Sequence, residues 1–214
     1  MTRAKICGVT TPEAYTAAVD GGAAFVGLVS FERSPRHLSV DQMQALMAAV
    51  ERTVPVVVLT VDADDSLLAD IAARVRPDFI QLHGAETPER AEQVLALTGA
   101  GIIKALPVST AADVEAAREW DAADYLLFDA RPPRDADRPG GLGHAFEWSL
   151  LADLKLSKPW FLAGGLTPDN VAEAIRITGV PLVDVSSGVE TAPGVKDSGL
   201  IRAFLDRVRD ASPR

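Results

Sequence analysis

In Ala4-Lys5-Ile6-Cys7-Gly8-Val9-Thr10-Thr11-Pro12, the sequence predicts a short strand and the start of a helix in direct succession. The run Ala4–Cys7 is typical of a strand in a parallel sheet that is covered on both faces. Thr11 can accept a hydrogen bond from an unpaired amide of the first helical turn, where proline is also tolerated. The stretch therefore predicts one β-strand followed by one α-helix.

The same pattern recurs along the chain. Eight apolar runs, roughly 20 to 35 residues apart as in βα units, are the predicted strands: Ala4–Cys7, Ala24–Val29, Val56–Val61, Phe79–Leu82, Ile102–Leu106, Tyr125–Asp129, Trp160–Ala163 and Leu182–Val185. Three stretches between or after them have apolar residues at helical spacing: Met43–Val50, Leu67–Val75 and Leu200–Val208. Thr-Pro pairs at Thr87 and Thr167 predict further helix starts, and Ser39 with Gln42 predicts a capping box.

Eight strand–helix units in one series predict an α/β fold, a single (β/α)8 TIM barrel domain over residues 1–214. The alternative is a doubly wound open sheet, whose G-x-G-x-x-G fingerprint would follow the first strand. Gly8-Val9-Thr10 stands there instead, so the closed barrel is favoured. The Pro-, Arg-, Asp- and Gly-rich stretch Arg131–Gly143 after the sixth strand is predicted to be a long loop.

Composition excludes several classes of protein. Hydrophobic residues make up 48% of the chain and charged residues 24%, which is typical of a globular domain and not of a disordered chain. The net charge of −9 makes nucleic acid and anionic membranes poor partners. The longest apolar run, Val54–Val61, is far shorter than the ~20 residues that span a bilayer. With one cysteine, no disulfide can form within the chain, and we expect a cytoplasmic protein.

Active sites of (β/α)8 barrels lie at the carboxyl ends of the strands, so residues at those ends are the first candidates. Cys7 ends the first strand and Asp129 the sixth. Either residue can have a structural role, Cys7 as a small buried side chain and Asp129 as a cap. As a pair at one mouth, a thiol and a carboxylic acid are suited to proton transfer on one substrate.

Glycine clusters follow the last three strands, at Gly140–Gly143, Gly164-Gly165 and Ser186–Gly188. Ordinary turns also use glycine pairs. In (β/α)8 barrels, however, the loops after strands seven and eight often form a phosphate site, where backbone amides and serine hydroxyls donate to the anion. We therefore expect an anion to bind at these loops.

Three further polar residues lie at or near strand ends. Arg36 follows the second strand and is either solvated or a partner for a substrate carboxylate. His83 follows the fourth strand and is either a structural donor or a polar contact in the pocket. Asp184 is a polar residue within the eighth strand, either a paired buried carboxylate or a contact for a sugar hydroxyl. The three histidines and single cysteine lack metal-ligand spacing, so no metal site is expected.

The chain resembles the phosphoribosylanthranilate isomerases of tryptophan biosynthesis, and the resemblance runs in family order from residue 5 to residue 197. Two positions depart from the family pattern: Leu142 stands where Thr or Ser is usual, and Glu147 where Asp is usual. The matching motifs are Lys5-Ile6-Cys7-Gly8-Val9-Thr10, Phe25-Val26-Gly27-Leu28, Ser34-Pro35-Arg36, Gln81-Leu82-His83-Gly84, Leu126-Leu127-Phe128-Asp129, Gly140-Gly141-Leu142-Gly143, Phe146-Glu147-Trp148, Leu162-Ala163-Gly164-Gly165-Leu166, Asn170-Val171, Val183-Asp184-Val185-Ser186-Ser187-Gly188-Val189-Glu190 and Gly194-Val195-Lys196-Asp197.

The resemblance implies an Amadori rearrangement of N-(5′-phosphoribosyl)anthranilate to the corresponding 1-deoxyribulose 5-phosphate. It implies Cys7 as general base and Asp129 as general acid, with Arg36 holding the anthranilate carboxylate. Residues expected to bind the rest of the phosphosugar are Gly164, Gly165, Ser187 and Gly188 at the phosphate, with His83, Asp184, Gly141 and Gly143. No cofactor is expected, because the reaction is neither a redox reaction nor a group transfer. We expect a monomer or a homodimer without nucleic-acid or membrane partners.

These roles make demands on the two side chains. An ordinary cysteine pKa of ~8.5 would need lowering for the thiolate to act at neutral pH, and a helix dipole or a substrate charge could lower it. The pKa of Asp129 would need raising, which burial can supply.

Three alternatives within or near this class fit less well than the isomerase, because Cys7 and Asp129 are both present. Indole-glycerol-phosphate synthase needs a lysine acid, for which Lys5 and Lys104 are available in strands. A histidine-pathway isomerase with the same chemistry favours Asp in place of Cys7. A catalytically silent phosphosugar sensor would keep the phosphate loops and could lose Cys7 or Asp129.

Overall fold

A computed structural model describes residues 1–130, 147–152, 154 and 156–211, with the backbone alone at 111, 116 and 118. Eight parallel strands form a closed barrel in chain order, because β1 pairs with both β2 and β8. The closed-barrel prediction is confirmed, and no strand end differs from its predicted position by more than two residues. The strands are β1 (Arg3–Cys7), β2 (Phe25–Ser30), β3 (Val56–Thr60), β4 (Phe79–Leu82), β5 (Gly101–Val108), β6 (Tyr125–Ala130), β7 (Trp160–Leu162) and β8 (Leu182–Val185).

Helices connect the strands on the outside of the barrel. After β6 the described residues contain a short 3-10 helix, Trp148–Leu151, in place of the expected α-helix. The predicted loop Arg131–Gly143 lies entirely outside the described residues. Two more 3-10 helices are Ala116–Glu119 and Ser187–Val189. The α-helices of the described residues are α1 (Pro12–Asp20), α2 (Val40–Ala48), α3 (Asp65–Arg74), α4 (Pro88–Thr98), α5 (Ala111–Glu115), α6 (Val171–Thr178) and α7 (Ser198–Ala211).

Three of the four predicted helix starts are confirmed and one is wrong. Thr11 and Thr87 accept hydrogen bonds from the third residue of α1 and α4, and Ser39 with Gln42 forms the capping box of α2. Thr167 caps nothing, because its hydroxyl accepts from Asp169 N at 3.3 Å within a local turn and α6 begins only at Val171. Serine and threonine hydroxyls favour such turns as well as helix caps, and a Thr-Pro pair does not distinguish the two.

The barrel interior is apolar at the amino ends of the strands. Phe25, Phe79, Tyr125 and Phe161 pack their rings against one another with centroids 5.4–5.9 Å apart, mostly edge to face. Four fully buried aliphatic side chains lie with them: Val57, Ile103, Leu127 and Leu182. Because side chains alternate along a strand, the next inward positions lie nearer the carboxyl ends, and polar residues begin there.

A small antiparallel hairpin follows the barrel strands. Its strands are β9 (Glu190–Ala192) and β10 (Val195–Lys196). A Cβ at Gly194 would lie 2.4 Å from the carbonyl oxygen of Pro35, so the hairpin turn packs directly on the loop after β2. Within the described part of the chain, no helix has both the length and the apolar character needed to cross a membrane.

Candidate active site

Cys7 and Asp129 lie at one mouth of the barrel. Cys7 is the last residue of β1 and Asp129 the last but one of β6, and they are 3% and 8% exposed. Both point inward: Leu127, two residues before Asp129, belongs to the interior cluster, and Lys5, two residues before Cys7, reaches across the barrel to Gln81 on β4. The prediction that the two side chains share one face of the sheet is therefore confirmed.

The Cys7 thiol is enclosed by protein. The inner face of β2 carries Gly27 beside it, where a Cβ would lie 3.0 Å from Sγ. Burial raises the pKa of the thiol above its ordinary value, and the neighbouring Lys5 ammonium opposes that rise only in part. The requirement for a lowered cysteine pKa is thus not met in the free protein, because desolvation disfavours the thiolate more than Lys5 favours it.

Lys5 is a fully buried ammonium held by two partners. Its Nζ donates to Asp184 Oδ1 at 2.9 Å and to Gln81 Oε1 at 2.8 Å. Burial by itself would lower the lysine pKa, but the Asp184 carboxylate and Cys7 outweigh it, and the pKa lies above the ordinary value. Asp184 is thus a paired carboxylate at the site. Sequence reasoning did not include Lys5 in the site, although a charged residue within an otherwise apolar strand could have indicated it.

His83 connects Gln81 with Asp129. Its Nδ1 lies 2.9 Å from Gln81 Nε2, and its Nε2 lies 3.4 Å from Asp129 Oδ2. The other carboxylate oxygen, Oδ1, accepts from the amide of Ala130 at 2.8 Å. Gly164 has a φ of +85°, and a Cβ there would lie 2.9 Å from this Oδ1, so only glycine lets the loop after β7 approach Asp129 so closely. His83 therefore contacts the predicted general acid.

Arg36 is 5% exposed, so the solvated alternative is wrong. Its Nε and Nη2 each donate to one oxygen of Glu190 at 2.7 Å, a bidentate pair. Gly8 lies under the arginine stem, because a Cβ there would be 2.5 Å from Arg36 Cδ. Arg36 thus crosses the residue that follows Cys7, which brings its guanidinium to the mouth of the barrel.

Glu190 and Lys196 complete this cluster, and sequence reasoning gave neither a role. Lys196 Nζ donates to Glu190 Oε1 at 2.6 Å and to the carbonyl of Ser186 at 2.9 Å. Burial alone would raise the pKa of Glu190, but the hydrogen bond from Arg36 and the charge of Lys196 outweigh it, and the pKa is lowered. Burial lowers the pKa of Lys196, against the opposing attraction of Glu190. The hairpin β9–β10 thereby supplies a carboxylate that orients Arg36.

The loops after β7 and β8 meet at the same mouth. Ser187 and Gly188 lie in a 3-10 helix, and a Cβ at Gly188 would lie 1.9 Å from the carbonyl oxygen of Leu166, so the two loops are in direct contact. Among the hydrogen bonds of the described residues, none engages the backbone amides of Gly165 or Ser187. These two amides therefore have N–H groups available to donate to an anion.

Two predicted binding residues, Gly141 and Gly143, lie outside the described residues, as does Leu142. Within the described ranges, no group of three or more His, Cys, Asp and Glu side chains is placed to hold a metal ion.

Sequence comparison with known proteins matches this chain to one family of isomerases. The family model described as PRAI, N-(5′-phosphoribosyl)anthranilate (PRA) isomerase, matches residues 4–207. A Caulobacter protein named N-(5′-phosphoribosyl)anthranilate isomerase is 54% identical over 211 residues, which are 98% of this chain and 99% of the relative. A protein of the same name from Paracoccus denitrificans is 53% identical over 206 residues, 95% of each chain.

Solved structures agree. The phosphoribosyl anthranilate isomerase of Thermotoga maritima superposes with a TM-score of 0.88 and 32% identity, covering 98% of this chain and all of that one. A phosphoribosyl anthranilate isomerase in complex with reduced 1-(o-carboxyphenylamino)-1-deoxyribulose 5-phosphate superposes with a TM-score of 0.83 and 31% identity over the same shares.

Proposed function

This chain belongs to the N-(5′-phosphoribosyl)anthranilate isomerase family, and we propose how residues at the mouth of its barrel catalyse the reaction. The chain is an enzyme of tryptophan biosynthesis that converts N-(5′-phosphoribosyl)anthranilate into 1-(2-carboxyphenylamino)-1-deoxy-D-ribulose 5-phosphate. The observation that carries the mechanism is the inward placement of Cys7 and Asp129 at the carboxyl ends of β1 and β6. An acid and a base on opposite sides of one mouth can act on two atoms of one sugar.

Asp129 acts first, as general acid. It gives its proton to the ring oxygen of the ribofuranose, the bond between that oxygen and C1′ breaks, and a protonated Schiff base with the anthranilate nitrogen is left. In the carboxylate that remains, Oδ1 accepts a hydrogen bond from Ala130 N, and Oδ2 lies 3.4 Å from His83 Nε2. Donors already in place cost no reorganisation as the charge develops.

Cys7 then acts as general base. Its thiolate removes the proton from C2′, which the cationic Schiff base has made acidic, and the resulting enolamine tautomerises to the ketone. Burial holds Cys7 as the thiol in the free protein. Lys5 and the positive charge of the Schiff base both favour the thiolate, so the thiol releases its proton to solvent as the iminium forms. C1′ is reduced and C2′ is oxidised within one substrate molecule, so no redox partner is consumed. Solvent returns a proton to Asp129 before the next turnover, which balances the one it took from Cys7.

The two ends of the substrate are held on separate sides of the mouth. Glu190 occupies Nε and Nη2 of Arg36, which leaves Nη1 as the nitrogen proposed to bind the anthranilate carboxylate. Gly164, Gly165, Ser187 and Gly188 are proposed to hold the phosphate through backbone amides and the serine hydroxyl. Among the described contacts only Oδ1 of Asp184 has a partner, so Oδ2 is proposed to accept from a sugar hydroxyl. Gly141 and Gly143 are proposed to contact the bound phosphosugar.

The test uses freshly generated N-(5′-phosphoribosyl)anthranilate and follows the decay of its fluorescence. We expect rapid decay with the wild-type protein, and losses of about 10²- to 10⁴-fold with Cys7→Ala and with Asp129→Asn. Binding of the reduced product analogue by each variant serves as the control for folding. A wild-type protein that binds the analogue but leaves the substrate unchanged would contradict the proposal.

We also propose that the protein acts in the cytoplasm, as a monomer or a homodimer, on a phosphosugar and not on nucleic acid or membranes. A catalytic thiol is kept reduced in that compartment, and the net charge of −9 repels polyanions. Among the solved relatives, that of Thermotoga maritima is described as dimeric and also as monomers generated from the dimer. Sedimentation at micromolar protein concentration distinguishes the two states.

A further inference from the structure

A row of four contacting polar side chains, Lys5, Gln81, His83 and Asp129, crosses the barrel. Lys5 Nζ lies 2.8 Å from Gln81 Oε1, Gln81 Nε2 lies 2.9 Å from His83 Nδ1, and His83 Nε2 lies 3.4 Å from Asp129 Oδ2. Gln81 is fully buried in the middle of β4, and the mechanism above does not use it. Of these four side chains, Gln81 alone carries no ionisable group.

The orientation of the Gln81 amide follows from the chemistry of its neighbour. An ammonium has three donors and no acceptor, so only the amide oxygen can face Lys5. The amide NH2 group must then face His83, and it can only donate. His83 Nδ1 is therefore the acceptor, and the single proton of the neutral ring lies on Nε2, on the side of Asp129.

From this geometry we infer that Gln81 is a positioning residue, which fixes His83 as the tautomer protonated at Nε2 and so directs a donor at Asp129. The inference deepens the proposed function, because it concerns the general acid of the same reaction. The amide passes on an orientation set by Lys5, and no proton moves through it. The opposite tautomer would turn a lone pair of the ring towards the carboxylate and leave two donors facing each other at Gln81.

The consequence for catalysis lies in the charge that develops on Asp129. When Asp129 gives up its proton, the carboxylate has the neutral His83 Nε2–H group 3.4 Å from its Oδ2. Contacts of this length in a free enzyme often shorten once the reacting complex forms. A histidine in the other tautomer would repel that developing charge, so the effect falls on kcat and leaves substrate binding largely unchanged.

The first readout is nitrogen-15 NMR of the histidine rings, in which a protonated and an unprotonated ring nitrogen have well separated shifts. The chain has three histidines, so the His83 signals are identified as those that disappear in His83→Gln. We expect the wild-type protein near pH 8 to show His83 protonated at Nε2 and unprotonated at Nδ1. Gln81→Glu places an acceptor at Nδ1, and we expect it to draw a proton onto that nitrogen.

The second readout is steady-state kinetics. We expect Gln81→Glu and Gln81→Met to lower kcat by roughly 10- to 100-fold, by analogy with the loss of partners that orient metal-binding histidines. KM should stay within about twofold, since no group in contact with substrate is changed. Gln93→Glu makes the same chemical change on the exposed face of α4 and should alter neither readout.

Two substitutions of His83 distinguish a role in donating to Asp129 from a role in packing. A glutamine side chain can keep an N–H near the place of the histidine Nε2, whereas leucine cannot. We therefore expect His83→Gln to retain a larger part of kcat than His83→Leu does.

Two results would overturn the inference: a wild-type His83 protonated at Nδ1, or a folded Gln81→Met protein with the wild-type tautomer and unchanged kcat. Binding of the reduced product analogue reports folding, and if both Gln81 variants fail to fold, the wild-type spectrum alone decides. The spectrum of the resting protein needs no turnover. A failure of the proposed function, in which wild-type protein leaves the substrate unchanged, is thus distinct from a failure of this inference.

Discussion

At the scale of single residues, the site is built from charges that are buried yet paired. Lys5 is fully buried, and its desolvation is offset by the carboxylate of Asp184 and the amide oxygen of Gln81. Cys7 has no such full compensation, so its pKa is raised by burial. The free enzyme thus keeps its base protonated and its neighbouring cation charged.

This state of Cys7 has a consequence for pH dependence. A base whose pKa is raised becomes active only as pH rises through that pKa, so we expect kcat/KM of the wild-type protein to increase with pH above neutrality. Cys7→Ser should lower kcat about 10²- to 10⁴-fold and remove this rising limb, because a serine hydroxyl is far less acidic than a thiol. Stopped-flow fluorescence across a pH series measures both effects. A variant with near-wild-type kcat would assign Cys7 to the core and the base to another group.

Arg36 supplies a separate prediction at this scale. Arg36→Met removes the guanidinium proposed to bind the substrate carboxylate, and a charge-assisted pair contributes about 1.5–3 kcal/mol, so KM should rise by up to about a hundredfold. Arg33→Met is the matched control, since Arg33 lies exposed in the same loop. Equal values of kcat/KM for the two variants would show that Arg36 does not bind substrate.

At the scale of elements, the loops beyond the strands assemble the mouth. The hairpin β9–β10 packs on the loop after β2 and holds Arg36 and Lys196 through Glu190. The 3-10 helix Ser187–Val189 packs on the loop after β7, where Asn170 Nδ2 donates to the carbonyl of Gly165 at 2.9 Å. Each binding loop is therefore fixed by a neighbouring loop and not by its own sequence alone.

The Glu190 cluster predicts a measurable effect on stability. Glu190→Gln keeps the shape of the side chain but leaves two buried cations without a counter-charge, so we expect the free energy of unfolding to fall by about 3–5 kcal/mol. Urea unfolding at pH 7 measures this loss. Glu173→Gln, at a largely exposed pair on α6, should change it by less than about 1 kcal/mol.

The sign of the pH dependence follows from the lowered pKa of Glu190. Its stabilising contribution is complete above the ordinary carboxyl pKa of ~4.3 and is lost as pH falls through the lowered value. The difference between wild type and Glu190→Gln should therefore be constant from pH 7 to about 5 and shrink in stronger acid. A difference that grows on acidification would contradict the pairing.

In the whole molecule, the residues that stabilise the barrel and those that act on substrate lie at opposite ends of its axis. The aromatic layer of Phe25, Phe79, Tyr125 and Phe161 fills the end where the strands begin. The charged and polar side chains fill the end where they finish. Substitutions in the first layer should therefore affect folding more than turnover.

Phe25 tests this separation, because its ring contacts the three others. Phe25→Ala should lower the free energy of unfolding by about 3–5 kcal/mol, as is usual for a buried phenylalanine. The folded fraction should keep its kcat, which is measured on the same preparation. Leu97→Ala, at a side chain 42% exposed on α4, should change stability by less than about 0.5 kcal/mol. A large loss of kcat in folded Phe25→Ala protein would mean that the two layers are coupled.

The eight strands, three of the helix caps and the position of Cys7 and Asp129 at one mouth could be predicted from the amino-acid sequence. Strands and caps depend on residues within a few positions of one another, and parallel strands always bring their carboxyl ends to the same edge. Thr167 shows the limit of local reasoning, since one hydroxyl fits a turn and a helix cap equally well.

The pairing of the buried charges and the burial of the Cys7 thiol could not be predicted and became visible in the folded barrel. Lys5 and Gln81 are 76 positions apart and Arg36 and Glu190 are 154 apart, so nothing in their local sequence indicates the contact. The raised pKa of Cys7 depends on burial by the closed barrel, which opposed the lowered value that its role required. The physical reason is that the partner and the solvation of a buried charge are set by closure of the barrel, which brings distant strands together and excludes water.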